Sequence, residues 1–261
     1  MSKGMRSLQA LPCAIAAIGL LWAQKQPAPK GPKELAALQA VQTAKSPDEQ
    51  VKAIENVLTN FPDTDYKSLL LYSAMQVEIQ KGDYAQIMFY GERLLEVEPK
   101  NAFALVTLAG ETARRTREFD LDKEEKLAKV DKWAQAGVEA AKDMPKPAPQ
   151  ISDDQWTSAR KDLQAQAYAA LGMSASLRKK YDDAIADYKQ ALSVASTPDS
   201  TTWVRLGQVY LDADKLDDAN AAFDKALGDA TAPASVKQIA QSKKDEVAKK
   251  KAAGAPKPPG A

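Results

Sequence analysis

The 261-residue sequence contains no histidine and a single cysteine, Cys13. Without histidine there is no imidazole general base, no Ser-His or Cys-His nucleophile and no usual zinc site. Aromatic residues make up only 7% of the chain, and its 12 glycines are scattered rather than gathered into a phosphate-cradling loop. An excess of one charge is lacking too. The 36 basic residues face 35 acidic ones, and a formal charge of +1 provides no field to draw nucleic acid. Asp212, Asp214, Asp217 and Asp218 lack the glycine and closing glutamate of a calcium loop. The expectation is a protein that is not an enzyme, with no cofactor, no metal and no nucleic-acid partner.

The longest apolar run, residues 11–23, has 13 residues, short of the roughly 20 that span a membrane. Lys3 and Arg6 precede it and the small residue Ala23 ends it, the pattern of a secretory signal peptide over residues 1–23. Cys13 lies inside that segment, so the mature chain is expected to carry no cysteine. Leu21 is an imperfect residue at the third position before the cut, which leaves an N-terminal membrane anchor as the alternative. The expected location is periplasmic or secreted, with at most peripheral membrane contact.

What the chain does have is 44% hydrophobic residues, rich in alanine, and a unit stated twice between Ala165 and Pro233. Tyr168, Leu171 and Gly172 are followed by Ala184, Tyr188, Ala191 and Pro198. Trp203, Leu206, Gly207 and Tyr210 are followed by Ala219, Phe223, Ala226 and Pro233. Gly172 to Gly207, Ala184 to Ala219, Tyr188 to Phe223 and Ala191 to Ala226 are each 35 residues apart. Steps of three and four within each half predict one face of a helix. Glycine inside a helix costs about 1 kcal/mol relative to alanine, so Gly172 and Gly207 predict close approach of a partner helix. Asp182, Asp183, Asp217 and Asp218 suit helix N-termini.

Taken in order, residues 24–32 hold three prolines and predict a flexible leader. Residues 33–144 predict a degenerate set of helix pairs. Ser46 caps and Pro47 opens a second helix; in the next pair Gly82 lies in the turn between the helices and Pro99 closes it. A mixed-charge insertion over residues 114–132 delays the helix after the one containing Phe103. Pro145, Pro147 and Pro149 predict a stiff linker over 145–151, a candidate hinge. Residues 152–233 carry the strong pair, 234–252 an amphipathic capping helix, and 253–261 a disordered tail.

This two-helix unit resembles the tetratricopeptide repeat, whose period is about 34 residues. The resemblance implies an all-α, right-handed superhelical solenoid of antiparallel helix pairs closed by a C-terminal capping helix. It also implies a concave groove lined by the first helix of each pair. Carried across position by position, that groove takes Tyr72, Gln76 and Ile79, then Phe103, Val106 and Gly110, then Gln166, Ala169 and Met173, then Thr201, Val204 and Gln208. These are apolar or amide residues, which argues against the carboxylate clamp of some family members and for an apolar helix or extended segment as ligand. The expected role is a scaffold that holds a protein or peptide partner in the cell envelope. The alternative is an assembly component of envelope machinery that acts by self-association or outer-face contacts.

Overall fold

A computed structural model describes residues 27–146 and 149–254, and eleven α-helices and no strand are found among them. The expected signal peptide, Cys13 and nearly all of the expected tail lie outside the described residues. Two compact units divide the chain. One runs up to Arg93 and includes Pro145–Ser152, and the other comprises Leu94–Met144 and the chain from Asp153 on.

The first unit begins with α1 (Pro32–Thr43) and α2 (Pro47–Asn60), which pack as a hairpin. The predicted cap at Ser46 is present: its hydroxyl accepts from the Glu49 N–H at 3.2 Å, and the Glu49 carboxylate accepts from the Lys45 N–H at 2.8 Å. The first bond satisfies an amide that a helix start leaves open, and the second holds the residue before the cap. Helix α3 (Lys67–Lys81) packs on α2 and stops at Gly82, whose φ of 72° lies in the left-handed region that glycine enters at little cost. Helix α4 (Tyr84–Val97) follows, and the division between units falls within it. The chain before α1 is strapped down: the Tyr66 hydroxyl donates to the Pro27 carbonyl, and the Lys30 ammonium to the Asp63 carbonyl.

In the second unit α5 (Ala102–Arg115), α6 (Lys123–Lys142) and α7 (Asp153–Leu177) pack mutually around Val106, Ala109, Val130, Ala134 and Ala167. The apolar stripe of α6 starts at the fully buried Leu127 and Val130, earlier than the mixed-charge run suggests. Side chains of α7 complete the end of α6. Arg160 donates to the Lys142 carbonyl at 2.9 Å, and the Trp156 indole to the Met144 carbonyl at 3.2 Å. Helices α7 and α8 (Tyr181–Val194) form one pair, and α9 (Ser200–Asp212) and α10 (Leu216–Gly228) the next.

The repeat-defining residues occupy the core of these two pairs. Ala184, Tyr188, Ala191, Leu206, Tyr210, Ala219, Phe223 and Ala226 are buried, and Tyr168, Leu171 and Trp203 pack at core margins. The glycines answer to aromatic rings. A Cβ on Gly172 would lie 2.9 Å from the Tyr188 ring, and one on Gly207 would lie 2.6 Å from the Phe223 ring. Helix α11 (Ala234–Gly254) packs on both α9 and α10 and buries Ala240 and Val247, as a capping helix must.

Candidate functional site

The predicted groove positions all fall on first helices of pairs: α3 in the first unit, and α5, α7 and α9 in the second. On α3, residues 72, 76 and 79 follow the helical step and all three are half-buried. The Gln76 amide donates to the Tyr72 hydroxyl at 2.7 Å, which fixes both side chains, and burial holds the Tyr72 phenol above its usual range. The three form an apolar ledge with a polar edge. Its spare amide carbonyl suits an N–H donor on a ligand.

On α5, Phe103 is half-buried but Val106 is not available. Val106 is only 2% exposed, and its methyl sits 2.8 Å from where a Cβ on Gly137 would lie. It is a core residue of the α5–α6 contact, so it leaves the groove set. The reason is local: Gly137 on α6 lets that helix come close, and the branched Val106 fills the gap. Gly110 is buried, and the Arg114 guanidinium folds over it and pairs with Glu111. Ala169 is buried, too. Gln166 is exposed, and Met173 is half-buried where it touches the cores on both sides of α7. On α9, Thr201, Val204 and Gln208 are half-buried, and the Gln208 amide donates to Asp212 at 2.7 Å. The surviving candidates are therefore Tyr72, Gln76 and Ile79 on the first unit, and Phe103, Gln166, Met173, Thr201, Val204 and Gln208 on the second. None of these positions carries a charge.

A feature that sequence reasoning missed runs between successive repeats. A lysine near the end of a first helix, or just beyond it, reaches back to the acid that opens the preceding second helix. Lys81 pairs with Asp48 at 2.8 Å and Lys215 with Asp182 at 2.8 Å, and Lys251 pairs with Asp217. Each acid also lies in the first helical turn, where the macrodipole favours it. A shared separation of 33 or 34 residues was the signal, visible once the helix ends are known. Across the insertion the rule stretches. Arg178 reaches Glu124 at 2.8 Å and Asp131 at 3.0 Å, and Lys179 reaches Glu118 at 2.7 Å.

One carboxylate stands apart. Asp187 on α8 is pushed up to about 6, first by burial and then by the nearby Asp183 and Asp131. Among the described residues no group of three or more histidine, cysteine, aspartate or glutamate side chains is arranged to hold a metal. No helix of the described residues is long and apolar enough to cross a membrane.

Comparison with known proteins agrees with this architecture. The tetratricopeptide repeat family matches residues 165–198. No curated protein matches the chain. Among solved structures, a thermophilic TPR protein from Thermus thermophilus superposes with a TM-score of 0.52 at 18% identity, over 80% of this chain and 98% of its own. PilW, a type IV pilus biogenesis factor, does so with a TM-score of 0.52 at 12% identity, over 87% of this chain and 94% of its own. At such identities the likeness is one of fold.

Proposed function

We infer that this tetratricopeptide-repeat protein is a non-enzymatic scaffold that holds an apolar protein or peptide segment against the first helices α5, α7 and α9 of its second unit. The observation that carries the reading is the set of half-buried, uncharged side chains at those positions. On the second unit Phe103, Met173 and Val204 are half-buried at groove positions of α5, α7 and α9, and on the first unit, taken by itself, Tyr72 and Ile79 flank Gln76 on one face of α3. Such surfaces combine apolar area with a few fixed hydrogen-bonding groups, the composition that peptide grooves use. The absence of charge at these positions favours an apolar helix or extended segment over a ligand held by its terminal carboxylate. Export to the periplasm or beyond is part of the proposal and rests on Lys3, Arg6 and the apolar run to Ala23.

The test is photo-crosslinking in the native cell from Gln166 and Gln208, two positions whose substitution should spare the core. One dominant crosslinked protein, lost on Phe103→Ala with Val204→Ala, is the expected result. Crosslinks that persist unchanged in that double variant would remove the groove from consideration. Mass spectrometry of the mature N-terminus tests export separately, with Gln24 as the expected first residue.

A further inference from the structure

A cavity of about 500 Å³ opens between the start of α1 and the end of α2, and all of its lining residues belong to the first unit. Gly31, Pro32, Phe61 and Pro62 supply apolar wall, and Glu34, Asn60 and Thr64 line it too. Glu34 is the unusual member. It is only 2% exposed, and its Oε2 accepts the Lys30 N–H while its Oε1 has no hydrogen-bond partner among the described residues. The Thr64 hydroxyl, and after it the Lys30 N–H, hold the carboxyl below its ordinary range, so it is ionised at neutral pH. A buried carboxylate oxygen without a donor is costly, and the space beside it is many times the roughly 30 Å³ of a water molecule. The volume falls in the range of small-molecule pockets.

We propose that this cavity binds a small primary amine, with its ammonium on the Glu34 Oε1 and its apolar body against Phe61, Pro32 and Pro62. Two further features select a cation. Helix α2 brings its C-terminus, the negative end of its dipole, to the cavity through Asn60 and Phe61. It has no basic residue in its last turn, and Pro62 has no N–H to return to the Leu58 carbonyl. The lysines at the site leave this role open. The Lys30 ammonium is engaged by the Asp63 carbonyl and lies 3.6 Å from the Asp65 carboxylate, and Lys33 is exposed. An anion has less to gain, because the start of α1 already has one in Glu34, within its first turn. A charged donor fits the unpaired oxygen better than a neutral one, since charge-assisted bonds are about twice as strong. The cavity shares no residue with the proposed groove.

The experiment titrates the full-length protein calorimetrically with phenethylamine, and in parallel with phenethyl alcohol and phenylacetate, which share its apolar body. The amine should bind with a dissociation constant of about 1 mM or below, as so few heavy atoms allow, and should raise the melting temperature. The alcohol and the acid should bind roughly tenfold more weakly or worse. Glu34→Gln keeps the shape and an acceptor for the Lys30 N–H but removes the charge, and it should weaken the amine roughly tenfold or more. Gly31→Leu is the second variant. A Cβ at Gly31 meets nothing within 4 Å and its φ of 173° suits any residue, so this variant should melt like the wild type. Its side chain narrows the cavity, and its affinity for the amine should fall as well. Phe103→Ala with Val204→Ala should leave amine binding unchanged, which separates the cavity from the groove. The proposal is overturned if the amine does not bind, if the alcohol or the acid binds equally well, if either cavity variant that folds keeps the wild-type affinity, or if the groove variant loses it.

Discussion

At Gly207 a single missing methyl group sets the spacing of a helix pair. The Phe223 ring fills the space a Cβ would need and is itself fully buried, so it cannot swing aside. Gly207→Ala should therefore destabilise the protein by about 1–3 kcal/mol, the usual range for overpacking, despite the better helix propensity of alanine. Gly172→Ala, under the Tyr188 ring, should behave alike. Gly110→Ala is the contrast: its neighbour is the far end of the flexible Arg114, so the change should be near neutral or stabilising by up to about 1 kcal/mol. Urea unfolding of the three variants checks the ordering. The sequence showed that these glycines matter through their 35-residue recurrence, but not that aromatic rings are what they accommodate. Val106 marks the other limit. Its position in the repeat suggested a groove side chain, and only the approach of Gly137 from α6 reveals it as core.

Asp187 gives a pH-dependent outcome at the same scale. Its folded-state value of about 6 lies above the ordinary 3.8, so it contributes stability that is fully present below the unfolded value and lost as pH rises through 6. At neutral pH its ionised form is a cost, reduced by solvent because the group is only half-buried. Asp187→Asn should stabilise the protein at pH 7.5 by about 1 kcal/mol. That advantage should shrink towards pH 4.5, where the wild-type carboxyl is protonated. Thermal melts of the pair across this range provide the measurement, and a pH-independent difference would show that neither burial nor the nearby Asp183 and Asp131 holds the carboxyl above its ordinary range.

At the scale of elements, the helix starts were legible because caps are local. Ser46, Pro47 and Glu49 lie within four residues, and the bonds they make were implied by their order. Ser46→Ala should cost about 1 kcal/mol. The links between elements were not legible, because Lys81 and Asp48, or Arg178 and Glu124, find each other only after two helices have packed. Among these links Arg178 should matter most. It is 17% exposed, joins the end of α7 to α6 through Glu124 and Asp131, and also donates to the Ser174 hydroxyl of α7. Lys215 is 44% exposed and pairs with the 91% exposed Asp182. Arg178→Met should lower the melting temperature measurably, whereas Lys215→Met should leave it within error.

For the whole molecule, the repeat logic makes stability a sum over neighbours, and α11 is the last term in that sum. Its Ala240 and Val247 belong to the same core as Leu206, Tyr210, Phe223 and Ala226. The three lysines that tie it back, Lys244 to Asp224, Lys250 to Asp214 and Lys251 to Asp217, all reach α10 or the turn before it. Removing residues 234–261 would uncover the apolar side of α9 and α10 while leaving the α7–α8 contact intact. Amide exchange should therefore accelerate strongly in α9 and α10, less in α8, and least in α5 and α6. A uniform acceleration from α5 to α10 would mean that the second unit unfolds as a single cooperative block, and that its pairs do not carry separable stabilities. The graded outcome follows from the contact order itself: α11 touches α9 and α10, α9 touches α8, and α8 touches α7. Each step away from the cut then feels the loss only through the helix before it.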